Sequence, residues 1–349
     1  MILMENYRYF IRIPNHLGDT IMAQPAVEAF LQLNENEKTV LMMPDWAKPI
    51  YKKEGNVKII ALPSNRRHGF SAVLFQVREL RKYKIETGIL LTPSFSSALA
   101  LFAGGIKNRY GYAGDGRRML LNNCVTLAKE DRLHRSEKYK LLLENAGKKR
   151  LEIPPPRILI SDSQKYSVAD LLEQNGITRA DRYLVIGPQA VAESRRWGTE
   201  NYAALAGLLI KNLDIKIVLI GTANQYNSGQ KIAFDPENIK NLCGKTDIEQ
   251  AASILAGAVL FIGNDSGLAH LASSVDIPLL ILSGADNPKE TSPISDKKTV
   301  IIKSYLDCIS CVKNICPKSG IEYMSCMKEI SVKEIFEIIS QNILSRFQP

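Results

Sequence analysis

The stretch AVLFIGNDSGLAHLASSVDIPLLILSG, residues 258–284, decides the fold. Its first apolar run, Ala258–Gly263, has the length and β-branched or aromatic content of a strand. Gly-Asn-Asp-Ser-Gly then breaks the run, and a small-residue segment over 267–275 has the character of a short helix. A second apolar run, PLLILSG, follows over 278–284. Strand, helix and strand in such close succession form the βαβ unit of a parallel sheet, and strands apolar at every position are covered on both faces.

The same alternation extends in both directions. YLVIG (183–187) and IKIVLIG (215–221) read as further buried strands, with helices over 199–211 and 248–256. In the first half, YRYFIRI (7–13), KTVLMM (38–43), VKIIAL (57–62) and ETGILLT (86–92) read as strands, with helical spacing over 23–33 and 70–82. The pattern predicts an α/β protein with two doubly wound parallel sheets. The boundary falls in KKRLEIPPPRILI (148–160), where Pro154–Pro156 cannot continue a helix and favour an extended connector. The predicted domains are 1–155 and 156–330. The end of the chain reads as one amphipathic helix with Ile335, Ile338, Ile339 and Ile343 near one face. Ligands of open α/β sheets bind outside the carboxyl ends of the strands, so residues just beyond each strand are the candidates for chemistry.

Composition narrows the partners. The 349 residues are 45% hydrophobic and 23% charged, as in ordinary globular proteins. A net charge of +9, from 45 basic against 36 acidic residues, favours an anionic partner. The basic residues are dispersed and no basic arm is interleaved with aromatics, which argues against nucleic acid. The opening MILMENYRYF lacks the apolar core of a secretory signal. The uncharged stretch 250–264 is too short to span a bilayer and is interrupted by Gly257 and Gly263. These features predict a cytoplasmic protein and leave contact with a membrane surface open.

Three strand ends carry polar residues. In GNDSGLAH, Asp265 reads as a helix cap, while Ser266 and Gly267 leave backbone N–H groups open to a phosphate at a helix start. His270, one turn on, reads either as a structural histidine or as a ligand. In IPNHLGDTIMAQP (13–25), Asp19 either caps a helix beginning near Thr20 or serves as a general base. No G-x-G-x-x-G is present there, against a dinucleotide oxidoreductase. In GPQAVAESRRWGTENYAAL (187–205), Arg195-Arg196 is either a solvated pair or a cation placed to neutralise a leaving diphosphate.

Taken in order along the chain, these segments resemble the ADP-heptose:lipopolysaccharide heptosyltransferases, and among them the heptosyltransferase II type. The resemblance rests on HLGDTIMAQPAVEAF (16–30), SFSSALALFAGGIKNRYGYAGDGRRMLL (94–121), RRWGTENYAALA (195–206), NLCGKTDIEQAASILAGA (241–258), GNDSGLAHLASSVDIP and LSGADNP (282–288). It implies a GT-B glycosyltransferase fold of two Rossmann-like domains facing across a cleft. The first (1–155) would take the acceptor, with the terminal helix (331–349) packing back on it, and the second (156–330) would take the donor. It further implies inverting transfer of heptose from ADP-L-glycero-β-D-manno-heptose to the phosphorylated inner core of lipopolysaccharide, with no cofactor required. Asp19 matches the catalytic base. Arg195 stands where a lysine usually contacts the donor phosphates, a change from a point charge to a planar fork. Asp265, Ser266, Gly267, Leu268 and His270 match the donor-binding turn, Thr246 the adenosine contact, and Gln225 a position where an acidic residue often meets the ribose. The glutamine leaves a transferase for another nucleotide sugar open, and Gly198 replaces the usual proline after the tryptophan. Lys107, Arg109, Arg117 and Arg118 are the candidate acceptor contacts, and peripheral contact with the cytoplasmic face of the membrane is the expected setting.

One motif stands outside this reading. Cys308, Cys311, Cys316 and Cys326 give C-x2-C-x4-C-x9-C, a spacing that admits a structural zinc or an iron–sulfur ligand set, as well as reduced thiols or a disulfide. A redox protein built on these cysteines, or a nucleotide-binding regulator without activity, are the rival readings. Neither accounts for Asp19.

Overall fold

The computed structural model describes residues 5–51, 55–66, 69–127 and 132–347, with residues 64 and 342–347 by backbone alone. The chain forms two compact units, Met1–Pro156 and Arg157–Pro349.

The first unit is built on six strands: β1 (Glu5–Arg12), β2 (Thr39–Pro44), β3 (Val57–Leu62), β4 (Tyr83–Leu90), β5 (Asn108–Tyr112) and β6 (Asn123–Val125). All neighbours are parallel, in the order β3-β2-β1-β4-β5-β6. Every residue of β2 is buried, as expected of a strand covered on both faces. The helices are α1 (Leu17–Leu33), α2 (Gly69–Leu80), α3 (Phe95–Ala103) and α4 (Arg135–Gly147). α1 packs with α4, and α2 packs with α3. Right-handed crossovers explain the pairing: the chain moves one way across the sheet after β1 and the other way after β3, so the helices divide between the two faces. The winding reverses between β1 and β4, paired from Glu5↔Tyr83 to Arg12↔Leu90, and a crevice opens beyond their carboxyl ends.

The second unit repeats the plan. Its strands are β7 (Tyr183–Gly187), β8 (Lys216–Leu219), β9 (Ile239–Asn241), β10 (Phe261–Asn264), β11 (Leu279–Leu282) and β12 (Lys298–Ile301). They are parallel in the order β12-β11-β10-β7-β8-β9. The helices are α5 (Asp162–Gln174), α6 (Thr199–Asn212), α7 (Tyr226–Ile232), α8 (Ile248–Gly257), α9 (Gly267–Ser274), α10 (Pro288–Thr291), α11 (Ser325–Lys328) and α12 (Val332–Phe347). Here the winding reverses between β7 and β10, where Gly187 and Gly263 lie opposite each other.

α12 packs on α6, and its Ile335 and Ile339 join Trp197, Tyr202 and Leu205 in the core of the second unit. Trp197 reinforces this placement by donating its indole N–H to the carbonyl of Ile330 at 2.8 Å, just ahead of the helix. The side chain of Ile343 and residues 348–349 lie outside the described part.

Candidate active site

In the first unit the site begins with a buried cation. Arg12, at the end of β1, is 1% exposed and disfavoured as a charge by that burial. Its guanidinium donates to the carbonyls of Ile13 and Met42 and to Asn15 Oδ1, pinning the loop that leads into α1. Thr20 Oγ1 donates to Pro14 O at 3.1 Å, and Tyr51 donates to Thr20 O at 3.0 Å, so the first turn of α1 is clamped from two sides.

Asp19 is not a cap. α1 begins at Leu17 with His16 at the cap position, which places Asp19 within the first turn, where the helix dipole favours a carboxylate. Its Oδ1 accepts from Arg135 Nη1 at 2.7 Å and from the Tyr139 hydroxyl at 3.1 Å. Arg135 and Tyr139 stand one turn apart on α4 and therefore share a face. Tyr139 is buried, and that burial, then the adjacent Asp19 charge, holds its hydroxyl protonated well above the ordinary tyrosine range. It is thus a fixed donor. These groups line a cavity of about 400 Å3 whose other walls include Leu91, Thr92, Tyr112, Arg117 and Lys138.

The four predicted acceptor contacts do not form one cluster. Arg117 is buried in the cavity wall and donates through Nε to Gly114 O at 3.0 Å. Lys107 and Arg118 are exposed and do not line that cavity. Arg109 donates to the carbonyls of Leu120 and Ile106 at 2.6 Å each and lies over the Phe102 ring, so its guanidinium holds its own loop together. Arg135, Lys138 and Tyr139 carried no local signal: α4 itself escapes the periodicity reading.

In the second unit the quoted turn sits at the reversal between β7 and β10. Close approach is built from glycine: a Cβ on Gly187 would meet Leu268 Cδ2 at 2.9 Å, and one on Gly263 would meet the Phe261 ring at 2.6 Å. Asp265 and His270 are buried, while Ser266, Gly267 and Leu268 are half-buried. Ser266, rather than Asp265, occupies the cap position of α9, and its side chain makes no capping bond. Lys298 on β12 lies within electrostatic range of Asp265; burial lowers its pKa, opposed by the charges of Asp265 and Asp296.

The loop after β7 is tied to this turn. Asn264 Oδ1 accepts from the backbone N–H of Trp197 at 3.0 Å. Arg195 Nη2 pairs with Asp286 Oδ1 at 2.7 Å, and Asp286 is 3% exposed. Arg196, in contrast, spends its donors on the carbonyls of Ala190 and Val191. Gln225 Oε1 accepts from the Thr222 N–H at 3.0 Å, so this side chain shapes its own turn. Thr246, half-buried, immediately precedes Asp247, which caps α8. The segments of Gln225 and Thr246 touch, because Gly244 adopts a left-handed φ of 75° against Ala223, where a Cβ would come within 2.5 Å of Cα.

The cysteine cluster corrects an expectation. All six cysteines are free thiols, and among the described residues no group of three or more metal-ligating side chains is arranged to hold an ion. Cys326 is pushed up to about 11 by burial and then by Cys308, Cys311 and Cys316 nearby. Cys316 Sγ accepts from the Met324 N–H at 3.4 Å. The zinc expectation is not carried forward.

Comparison with known proteins shows the family and the fold. The family model described as Glycosyltransferase family 9 (heptosyltransferase) matches residues 74–321. Lipopolysaccharide heptosyltransferase 2 of Salmonella typhimurium is 30% identical over 304 residues, covering 82% of this chain and 86% of that protein. Lipooligosaccharide heptosyltransferase 2 of Haemophilus influenzae is 28% identical over 301 residues, covering 82% and 86%. The structure of E. coli ADP-heptose lps heptosyltransferase II superposes with a TM-score of 0.78 at 24% identity, over 98% of this chain and all of that one. A glycosyl transferase family 9 structure from Veillonella parvula gives 0.79 at 20% identity, over 98% of each. The fold is accordingly GT-B, with two Rossmann-like units. Among the described residues, no helix is long and apolar enough to cross a membrane.

Proposed function

The chain belongs to glycosyltransferase family 9, the heptosyltransferases, and we propose that it moves heptose from ADP-L-glycero-β-D-manno-heptose to the inner core of lipopolysaccharide by a single inverting displacement. Asp19 takes the proton of the acceptor hydroxyl. The acceptor oxygen attacks the anomeric carbon as the bond to the diphosphate breaks on the opposite side, and ADP leaves. The observation that carries this reading is the setting of Asp19: a carboxylate at a strand-order reversal, beside a cavity, with Arg135 and Tyr139 both bound to Oδ1. That arrangement leaves Oδ2 as the oxygen to receive the proton.

On the donor side, negative charge grows on the leaving diphosphate. Arg195 and the amide end of α9 at 266–267 stabilise it, with His270 beside them. Arg195 shares its charge with buried Asp286, which fixes the fork where a flexible lysine would need no such partner. Asp265 would repel phosphate, so its role is to hold the turn or a sugar hydroxyl, near the positive charge of Lys298. The acceptor is lipid-linked on this reading, so the enzyme works in the cytoplasm at a membrane surface. Transfer from another nucleotide sugar is favoured by one feature only, the Gln225 departure.

A donor screen by mass spectrometry tests the substrate: product should form from ADP-heptose and not from UDP- or GDP-sugars. Asp19→Ala should lower turnover by about 10²–10⁴-fold while ADP binding, read by calorimetry, persists. Near-normal turnover would remove Asp19 from the role of base.

A further inference from the structure

In the first unit, α2 and α3 lie side by side in one layer on the sheet. Their inward faces are accounted for by Ala72, Val73 and Leu80 on α2 and by Ala98 and Leu101 on α3. A surface helix with that inner face should be polar outside. Instead α2 presents Phe70 at 74% exposure and Leu74 at 54%, one turn apart. On α3, Phe95 at 44% and Phe102 at 53% flank the half-buried Leu99 in a single stripe. The turn over residues 117–119 extends the same surface: Met119 is 82% exposed, and a Cβ on the neighbouring Gly116 would lie 3.7 Å from the Phe95 ring. Contiguous exposed apolar side chains on two neighbouring helices mark a contact surface rather than scattered exposure.

The polar residues around it are cationic. Arg66 is exposed beside Phe75, and Arg81 is exposed while bridging α2 to α3 through the carbonyl of Ala103. Lys107, four residues beyond α3, and Arg118, next to Met119, are also exposed. The acids at hand are Glu79, bound to Lys82 at 2.6 Å, and Asp115. Apolar side chains ringed by cations complement an anionic bilayer, where the rings and Met119 enter the acyl boundary and the cations meet phosphates. The surface is also continuous with the candidate site, because Arg117 lines the Asp19 cavity while its neighbours Arg118 and Met119 face out.

We propose that the outer faces of α2 and α3, with Met119, dock the enzyme on an anionic phospholipid membrane. This rests on the reading that the acceptor is lipid-linked, and it explains the two excess features together: a positive chain and an apolar outer helix layer.

The test is co-sedimentation with vesicles of phosphatidylethanolamine and phosphatidylglycerol, against vesicles of phosphatidylcholine alone. The full chain should pellet with the first and not the second, and about 0.5 M salt should weaken the binding. A variant carrying Phe70→Ser, Leu74→Ser and Met119→Ser should bind at least about tenfold less tightly. Its KM for acceptor embedded in vesicles should rise, while transfer to a deacylated, water-soluble acceptor stays at the wild-type rate. Equal vesicle binding by variant and wild type, or no wild-type binding, overturns the proposal. So does a dimer that the variant dissolves without any change in vesicle binding, since the face would then be a contact between copies. If vesicle binding follows expectation but heptose reaches neither acceptor, the docking surface stands and the proposed reaction falls.

Discussion

A carboxylate that removes a proton must be held still at one oxygen and left reactive at the other. Asp19, the proposed base, is held in this way by donors from a helix more than a hundred residues away, 2.7 Å and 3.1 Å from the same oxygen. Tyr139→Phe removes one of them without changing the volume much. Hydrogen bonds to a charged group are worth about 1.5–3 kcal/mol, so kcat should fall by about tenfold or more while KM for ADP-heptose stays put. Steady-state kinetics check this; an unchanged kcat would mean that Arg135 alone holds the base. The residue itself was legible, because a strand end followed by Gly-Asp is a local pattern. Its partners were not, because α4 has few apolar positions and a weak outward signal. Asp286 was likewise hidden: it lay in a quoted motif, but only folding brings it to Arg195.

At the scale of elements, the quoted strand–helix–strand segment carries its own geometry. β10, α9 and β11 appear where the apolar runs and the Gly-Asn-Asp-Ser-Gly break place them. What the local pattern conceals is why those glycines are there. Gly187 and Gly263 let two strand ends and Leu268 come together at the turn. Gly187→Ala forces a methyl group to 2.9 Å from Leu268 and 3.0 Å from Phe261. Overpacking of this kind costs about 1–3 kcal/mol. The variant should melt several degrees lower and bind ADP more weakly, as scanning and titration calorimetry would read. A variant that melts like the parent would show that the turn can yield. The cysteine segment teaches the converse: a good-looking C-x2-C spacing, even with the other two cysteines nearby, is not a ligand set among the described residues.

For the whole molecule, two units with separate cores predict separable behaviour. On the proposed reading, ADP binds only the folded state of the second unit and stabilises it by mass action, about 2.7 kcal/mol at a hundredfold excess over Kd. Trp197 is buried in the second unit's core and the other tryptophan, Trp46, lies in the first unit, so in a Trp46→Phe background the fluorescence reports the second unit. ADP should raise the transition seen by Trp197 and leave the other heat-absorption transition in place. A shift of both together would mean that the chain melts as one body. Alkaline pH provides a second test. Tyr51, Tyr139, Tyr183 and Tyr202 are all raised above the ordinary value by burial. A proton held more tightly in the folded state stabilises it fully below the unfolded pKa, near 10. That contribution is lost as pH rises past it toward the folded values. The contribution of these tyrosines to the denaturant midpoint should therefore be flat up to about pH 9.5 and fall beyond it, against the opposite and smaller effect of the single Arg12, so a Tyr183→Phe variant should lose part of the fall.

The alternation of strands and helices, the two-unit division near Pro154–Pro156 and the strand-end positions of Asp19, Arg195 and Asp265 follow from the sequence by itself, whereas the short strands β5, β6, β9 and β12 and the helix α4 do not. Those features rest on periodicity and on Gly, Pro and Asp at turns, which act over a few residues. Only the tertiary structure decided that Arg135 and Tyr139 hold Asp19, that Asp286 holds Arg195, and that α12 belongs to the second core. Such partnerships depend on helix register and sheet order across long stretches of chain, and no local pattern carries them.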